Sequence, residues 1–429
     1  MLVIIYQTKE IMKTYILLLL IMLGFIGCKK TERSSLQKES SNQIVVGHID
    51  SLYSEILGES RKLWIHTPIN ASDGNKYPVL YLLDGPGHYY SVVGMIKQLS
   101  TTNGNTVLPE MIIVGIPNTN RGRDLTPTEV DIDFFTGDSI QYVSGGGNIF
   151  LDFIEKELIP YIDETYPTTP YRTFVGHSFG GLSVINALTT KTHLFNNYVA
   201  IDPSLWWDDM AYLNFADSLL SAGDYSAKGL FVGVANTMDE GMDINNVETD
   251  TSKNSANIRS ILRFAKSQDT KKNGLRFNWK YYEEDSHGSV PLITEYDAMR
   301  FLFSWHQFKD LNKLYESSLS IEESIELLRL HYDNVSAKMG YEILPDEGLI
   351  NRLGYFYISE KKLERAAAFF DLNIINYPKS NNVYDSRGDC YLAVGDSLRA
   401  LDFFNKALEV GDNDFTQEKI DMLTKNLEE

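Results

Sequence analysis

One serine lies in a sequence that suits a sharp turn between a strand and a helix. The apolar run 173–176 precedes Ser178, and the helical stretch 180–188 (GGLSVINAL) follows it. Gly176 and Gly180 stand two residues on either side, where side chains would clash in so tight a turn. The pattern predicts a nucleophile elbow, with Ser178 at the end of a buried strand. The alternative is an ordinary glycine-rich turn.

Short apolar runs alternate with helical stretches from residue 45 to about residue 306. Several of these runs contain no polar alternation, which is typical of strands buried on both faces. The candidate strands are 62–68, 78–83, 111–116, 173–176, 198–201, 229–235 and 276–282. An amphipathic helix is predicted over 148–166. This alternation predicts an α/β domain with a mostly parallel sheet over residues 43–306.

Beyond residue 307 the sequence changes to helical patterns alone, and it repeats itself. A shift of 34 residues superimposes Gly354 on Gly388 and Phe370 on Phe404, with three further matches. Thirty-four residues is the period of the tetratricopeptide repeat, a helix-turn-helix unit. We therefore predict an all-α domain over 307–429 with two such repeats, at about 347–380 and 381–414. A generic helical bundle is the alternative, and the repeats could hold a protein partner.

The first 42 residues resemble a targeting signal followed by a flexible tether. An apolar run of about twelve residues, 15–26, is too short for a membrane-spanning helix, which needs about 20. Lys13 precedes it and Gly27-Cys28 follows, which resembles a bacterial lipoprotein signal over residues 1–28 with Cys28 as the lipidated residue. Residues 29–42 read as a flexible tether. We expect a lipoprotein of the bacterial cell envelope, anchored to a membrane through its lipid.

Composition excludes several classes of function. Of the 429 residues, 58 are acidic and 39 basic, so the formal net charge is −19. Nucleic-acid binding needs clustered Lys and Arg, and we expect no nucleic-acid partner. The two cysteines, Cys28 and Cys390, are too few for a disulfide framework. No zinc-ligand spacing or phosphate loop occurs, so neither a metal nor another cofactor is expected.

A nucleophilic serine needs a histidine base and a carboxylate that orients it. His287 follows the last candidate strand in a loop, which would bring it to the sheet edge that carries Ser178. The acid is sought after the preceding strand, 229–235. Asp239 is the preferred residue there, with Glu240 and Asp243 as alternatives. A Ser–His dyad without an acid also remains open.

The combination of YPVLYLLDG, VGHSFGGL, DPSLWW and SHGSVP resembles the esterase D-like family of α/β-hydrolases over about residues 43–306. The resemblance implies Ser178 as nucleophile, His287 as base and the Gly85 loop as part of the oxyanion hole. The N–H of Phe179 would be the other donor. Pro86 departs from the family pattern because it has no N–H, so Gly87 or Gly85 must supply the second donor.

The resulting hypothesis is a serine esterase that hydrolyses a carboxylic ester of a carbohydrate or a siderophore. The alternative is a non-catalytic binding or scaffold lipoprotein that uses its helical repeats, and Pro86 favours it. Four side chains are candidates for binding a small-molecule or glycan ester. They are Trp206 and Trp207 as an aromatic wall, Tyr89 in the oxyanion loop and Arg121 as a carboxylate clamp. Core packing of one of the two tryptophans and a structural ion pair for Arg121 are the alternatives.

Overall fold

The computed structural model describes residues 43–69, 71, 75–316 and 318–428. It contains an eight-stranded sheet followed by a helical region. The strands are β1 (His48–Ser54), β2 (Glu59–His66), β3 (Tyr77–Leu83), β4 (Ile112–Ile116), β5 (Thr168–His177), β6 (Asn197–Ile201), β7 (Gly229–Ala235) and β8 (Arg276–Tyr282). Every residue of β3, β4, β6 and β7 is buried, as their unbroken apolar sequences predict.

The strand order is β1-β2-β4-β3-β5-β6-β7-β8. Strands β3 to β8 pair in parallel, and only β1 and β2 run antiparallel to their neighbours. After β3 the chain moves to one side to form β4, and it then returns to place β5 on the other side of β3. Parallel α/β sheets bind ligands at such a reversal, outside the carboxyl ends of the strands. The topology therefore points to the ends of β3 and β5.

Helices connect the parallel strands and cover the sheet. Within the described part of this domain the α-helices are α1 (Gly85–Ser100), α2 (Arg121–Leu125), α3 (Gly147–Phe153), α4 (Ile159–Thr165), α5 (Phe179–Thr190), α6 (Ala211–Ala222), α7 (Ala256–Thr270) and α8 (Val290–Leu302). A π-helical turn, Ile154–Leu158, joins α3 to α4, so the predicted amphipathic helix is present with one wider turn. Its stripe of Phe150, Ile154, Leu158 and Ile162 is fully buried.

The remaining α-helices form the C-terminal region. They are α9 (Leu311–Tyr315), α10 (Ile321–Met339), α11 (Glu347–Ser359), α12 (Leu363–Asn376), α13 (Asn381–Val394), α14 (Ser397–Val410) and α15 (Asp414–Glu428). A mostly parallel α/β domain followed by a helical region is confirmed.

The two helix pairs α11–α12 and α13–α14 pack alike at the predicted spacing. A Cβ atom on Gly354 would lie 2.5 Å from the ring of Phe370, and one on Gly388 would lie 2.5 Å from the ring of Phe404. Each glycine thus lets an aromatic ring of the partner helix approach the backbone. This shared contact agrees with a repeat of 34 residues, and its assignment to the tetratricopeptide class stays a prediction.

Strand β1 was not predicted. Its sequence, HIDSLYS, has no apolar run, and most of its side chains are partly or fully exposed because it forms an edge of the sheet. The predicted signal peptide, Cys28 and the tether lie outside the described residues. Within the described residues, no helix is both long and apolar enough to cross a membrane.

Candidate active site

Ser178 lies in a strained turn between β5 and α5. Its backbone has φ 60° and ψ −118°, a conformation that L residues seldom adopt. A Cβ atom on Gly176 would lie 2.4 Å from the carbonyl oxygen of Gly180, so only glycine fits there. The N–H of Ser178 donates to the carbonyl of Ile201 at 2.9 Å, which fixes the turn to the end of β6. The turn thus has the geometry of a nucleophile elbow.

The carboxylate beside His287 is Asp202, the residue that follows β6. Nδ1 of His287 donates to Oδ2 of Asp202 at 2.6 Å. Asp202 is fully buried, whereas 43% of the His287 side chain is exposed. The N–H of Ala235 donates to Oδ1 of Asp202 at 3.0 Å, and the Asn257 side chain donates to Oδ2 at 2.9 Å. These donors hold the carboxylate so that one histidine tautomer is favoured.

The choice of Asp239 as this acid is therefore wrong. Asp239 is exposed, and its carboxylate accepts from the side chain of Asn254 at 2.7 Å. The alternatives Glu240 and Asp243 are also exposed. The order along the chain is still serine, acid, histidine. Asp202 follows β6, the strand beside β5, whereas Asp239 follows β7.

The hydroxyl of Ser178 lies 3.2 Å from the hydroxyl of Ser204, which is buried. The N–H of Ser204 also donates to the carbonyl of Ser178 at 3.1 Å. The ring of His287 packs against the ring of His177, the residue before Ser178, and the two ring centroids are 4.4 Å apart. The structure therefore brings the predicted nucleophile and base to one edge of the sheet.

The turn from β3 into α1 packs directly against the elbow. A Cβ atom on Gly180 would lie 3.3 Å from a carboxylate oxygen of Asp84 and 3.5 Å from the Cβ of Leu83. Gly85 opens α1, and a Cβ there would lie 2.9 Å from the backbone of Gly115. The close approach of these two backbones requires a glycine at position 85.

The two candidate glycines for the oxyanion hole differ in what their N–H groups do. Gly87 donates its N–H to the carbonyl of Asp84 at 2.9 Å, within the first turn of α1, so it is already engaged. Gly85 is the first residue of α1, where no intrahelical acceptor exists. Phe179 stands at the corresponding position of α5. The geometry favours Gly85 over Gly87, together with Phe179.

Arg121 is a structural link and not a free clamp. Its Nε and Nη2 atoms donate to the two carboxylate oxygens of Asp84 at 2.8 and 2.9 Å, and Nη2 also donates to the carbonyl of His177 at 3.0 Å. Burial raises the pKa of Asp84, but the hydrogen bonds and charge of Arg121 outweigh it and lower that pKa below its usual value. Arg121 thus ties the β3–α1 turn to the elbow.

Two of the three aromatic candidates belong to the core. Trp207 is 2% exposed, and its indole N–H donates to the hydroxyl of Thr128 at 3.1 Å. Tyr89 is 3% exposed and packs edge-on against Trp64. Trp207 therefore agrees with the core-packing alternative, and Tyr89 likewise presents little of its ring to a substrate.

Trp206 is more exposed than these two residues, and it lines a cavity whose wall also includes Trp207. The ring centroid of Trp206 lies 6.2 Å from that of Phe179, the residue after Ser178. The cavity has a volume of about 610 Å³ and combines aromatic with acidic side chains. Its walls include Trp206, Phe134, Tyr142, Lys253 and the carboxylates of Glu129, Asp131, Asp133, Asp208 and Asp209. The space is large enough for a sizeable organic group.

Among the described residues, no three His, Cys, Asp or Glu side chains are grouped to hold a metal ion.

The family model described as Putative esterase matches residues 54–285, which include the elbow, Asp202 and most of the sheet. Two curated relatives are the ferri-bacillibactin esterase BesA of Bacillus subtilis and the siderophore triacetylfusarinine C esterase of Aspergillus fumigatus. The first is 31% identical over 37% of this chain and 58% of its own length, and the second is 26% identical over 33% and 49%. The chain thus spans about half the length of these relatives.

Among solved structures, the IroE-like serine hydrolase from Shewanella oneidensis is 32% identical, with a TM-score of 0.61. The similarity covers 76% of this chain and 98% of that one. An uncharacterised protein from Capnocytophaga ochracea shares the fold over 88% of this chain and 99% of its own, with a TM-score of 0.58 and 18% identity.

Proposed function

The chain belongs to this esterase family, and on that premise we propose that it hydrolyses a carboxylic ester with Ser178 as nucleophile, His287 as base and Asp202 as the orienting acid. The observation that carries the proposal is the contact of 2.6 Å between His287 and Asp202 at the edge that holds the elbow. An elbow serine, a histidine and a buried carboxylate in this order are the parts that acyl transfer needs.

The reaction follows from these groups. The hydroxyl of Ser178 attacks the ester carbonyl, and Nε2 of His287 takes the hydroxyl proton. The N–H groups of Phe179 and Gly85 stabilise the oxyanion of the tetrahedral intermediate. His287 then gives the proton to the leaving alcohol, and an acyl group remains on Ser178. Water, deprotonated by His287, attacks this acyl-enzyme, and the acid is released as Ser178 recovers its proton.

Catalytic hydrogen bonds of free enzymes are often long and tighten only with substrate bound. The Ser178 hydroxyl lies against Ser204 in the free protein. We assign its rotation towards His287 to the substrate complex, in which Asp202 steadies the imidazolium.

The proposed substrate is an ester with a large acyl or alcohol part, on a carbohydrate or a siderophore. The cavity beside Trp206 supports a large group, and the named activities of the curated relatives support a siderophore. The acidic lining of the cavity suits a neutral or cationic group better than a polyanion.

Hydrolysis of a small chromogenic ester tests this function. Ser178→Ala should lower kcat by at least about a thousandfold, because removal of a triad nucleophile eliminates the covalent route. Ser221→Ala is the matched control, since Ser221 is exposed on α6 and bonds only to the backbone of its own helix. Retention of more than about one hundredth of the wild-type rate by Ser178→Ala would refute the proposal.

We also propose that Cys28 carries a lipid, and that the helical region is a tetratricopeptide-like platform for a protein partner. The short apolar run before Gly27-Cys28 supports the first point, and the matched contacts at Gly354 and Gly388 support the second. Cys28→Ser should move the protein from the membrane to the soluble fraction. A variant that stays with membranes after a high-salt wash would contradict lipidation.

The case for a scaffold role without catalysis depends on Pro86. The position of Pro86 in α1 weakens that case. Pro86 is the second residue of α1, where its missing N–H has no intrahelical acceptor to lose. The N–H of the preceding residue, Gly85, is unaffected. Pro86 is thus compatible with a working oxyanion hole.

A further inference from the structure

Three titratable side chains lie in a row behind His287 and have no part in the proposed reaction. The ring centroids of His287 and His177 are 4.4 Å apart, and those of His177 and His88 are 5.9 Å apart. Nδ1 of His88 lies 3.5 Å from Oε1 of Glu295. The row extends from beside His287, which is 43% exposed, to Glu295 on α8, whose side chain is 2% exposed.

Glu295 is a buried carboxyl without a hydrogen-bond partner. Neither of its oxygens is within hydrogen-bonding geometry of another described group, and the same is true of Nε2 of His177. Burying unpaired polar groups costs free energy, and native proteins seldom tolerate it without a reason. Two such groups in one row beside the catalytic base are poorly explained by packing.

The groups that face Glu295 leave it uncharged in neutral solution. His88 on α1 is the one basic side chain within 4 Å of it in the described structure. The other acid on α8, Asp297, is engaged with Lys280 and Tyr282 of β8. Burial raises the pKa of Glu295 to about 8.

The two histidines of the row are also uncharged in neutral solution. Burial lowers the pKa of His88, with Asp84 raising it and Arg121 lowering it. For His177, burial and the neighbouring His287 and His88 lower the pKa to about 4, against the opposing charges of Asp202 and Asp84. Near pH 7 the whole row behind His287 is neutral.

We propose that Glu295 is a positioning residue for His287, on which it acts through the rings of His88 and His177 that lie between them. The inference rests on the proposed function, because it requires an imidazolium at His287 in the transition state. While these three side chains are neutral, they place no positive charge near the imidazolium and so do not destabilise it. When Glu295 loses its proton to solvent, the buried negative charge stabilises the imidazolium further.

The pH dependence of kcat/KM for a small neutral ester tests this, after subtraction of the rate of Ser178→Ala at each pH. The wild-type rate should first rise with pH in the acidic range, as expected for a reaction that needs an unprotonated base. It should rise again near pH 8 by about threefold to tenfold, the effect of one charge at 10–20 Å in a protein. Glu295→Gln should keep the first rise, lose the second, and stay within about threefold of wild type below pH 7.

Glu322→Gln is the matched control, because Glu322 is an exposed glutamate of α10. It should keep both rises. A wild-type profile with no second rise, or a second rise that persists in Glu295→Gln, would overturn the inference.

A second measurement does not depend on turnover or on the folding of Glu295→Gln. In Ser178→Ala labelled with ¹³C and ¹⁵N, the Glu295 carboxyl should titrate near pH 8, and the His88 and His177 ring signals should shift with it. Titration of Glu295 near pH 4, as for an exposed glutamate, would refute the inference while leaving the esterase intact. A wild-type protein that is inactive at every pH, with Glu295 titrating near 8, would refute the proposed function instead.

Discussion

Asp202 is an ionisable residue in a position where burial alone would be unfavourable. Its backbone has φ 39°, which turns the residue off the end of β6, and its side chain is fully buried. Ala235, Asn257 and His287 donate to its two oxygens. A buried carboxylate is tolerated when donors satisfy it in this way, and its contact with Nδ1 leaves Nε2 of His287 for the proposed proton transfer from Ser178.

Replacement of Asp202 by asparagine should lower kcat by about three orders of magnitude or more. An amide cannot hold the same histidine tautomer, and the matching change in a serine protease costs about 10⁴ in turnover. Asp239→Asn is the paired variant, and it should stay within about tenfold because Asp239 is exposed. Steady-state hydrolysis measures both, and melting curves check folding. A larger loss in Asp239→Asn would restore Asp239 as the acid.

Ser178 and His287 can be singled out from the sequence because each has a local signal, the glycine-flanked turn and the loop after the last strand. The proposed acid, Asp202, has no such signal. Asp202 and Asp239 both follow buried parallel strands, and only the path of the backbone beyond each strand decides which one turns back to His287. The burial of aromatic residues is equally hard to predict from the sequence, since Trp206 is partly exposed whereas its neighbour Trp207 is buried.

The β3–α1 turn and the elbow act as one unit because Arg121 of α2 joins them. Its guanidinium bonds to Asp84 through two atoms and to the carbonyl of His177. The ring of Phe179 also lies 5.4 Å from the guanidinium carbon. Of the two proposed oxyanion donors, Gly85 directly follows Asp84, and Phe179 lies two residues after His177 with its own ring against the guanidinium.

Arg121→Lys should therefore lower kcat by about tenfold with little change in KM. An ammonium group cannot bond to Asp84 through two fixed atoms, so the oxyanion donors lose alignment in the transition state. Arg123→Lys is the control on the same helix, since Arg123 pairs with Glu59 and Asp124 instead. Equal effects of the two variants would show that Arg121 contributes only to stability.

The elements themselves were predictable where burial is complete. Strands β3, β4, β6 and β7 carry unbroken apolar runs, and their predicted and observed limits agree within one residue. Strand β1 has a mixed sequence because one edge of the sheet is open to solvent there. The π-helical turn at Ile154–Leu158 leaves the apolar stripe intact, so no pattern in the sequence marks it.

The α/β domain and the helical region meet around His306. Its Nδ1 donates to the carbonyl of Thr106 at 3.1 Å, and Nε2 of His331 donates to the carbonyl of His306 at 3.1 Å. Burial lowers the pKa of His306 to about 4, even though the Thr106 contact raises it. His177 has a pKa lowered to a similar value.

Because of these two histidines, we expect the free energy of unfolding to decrease in acid. Each has a folded pKa of about 4 and an unfolded pKa of about 6.5, so between these values the unfolded chain binds more protons. The free energy of unfolding should then fall as the pH drops from about 6.5 to about 4. Thermal melts across this range measure it, and His306→Asn should reduce the slope.

His193→Asn is the control for that slope, since 65% of the His193 side chain is exposed. It should leave the slope close to that of the wild type. A slope in His306→Asn equal to that of the wild type would contradict a contribution from His306.

The proposed hydrolysis requires Ser178 to be a nucleophile activated by His287. Peptide mapping by mass spectrometry after reaction with a fluorophosphonate tests it most directly, because the probe reacts only with an activated hydroxyl. We expect one adduct per chain, on the peptide that contains Ser178, and at least a hundredfold slower labelling in His287→Ala. A wild-type protein that remains unlabelled, or an adduct on a different serine, would contradict it.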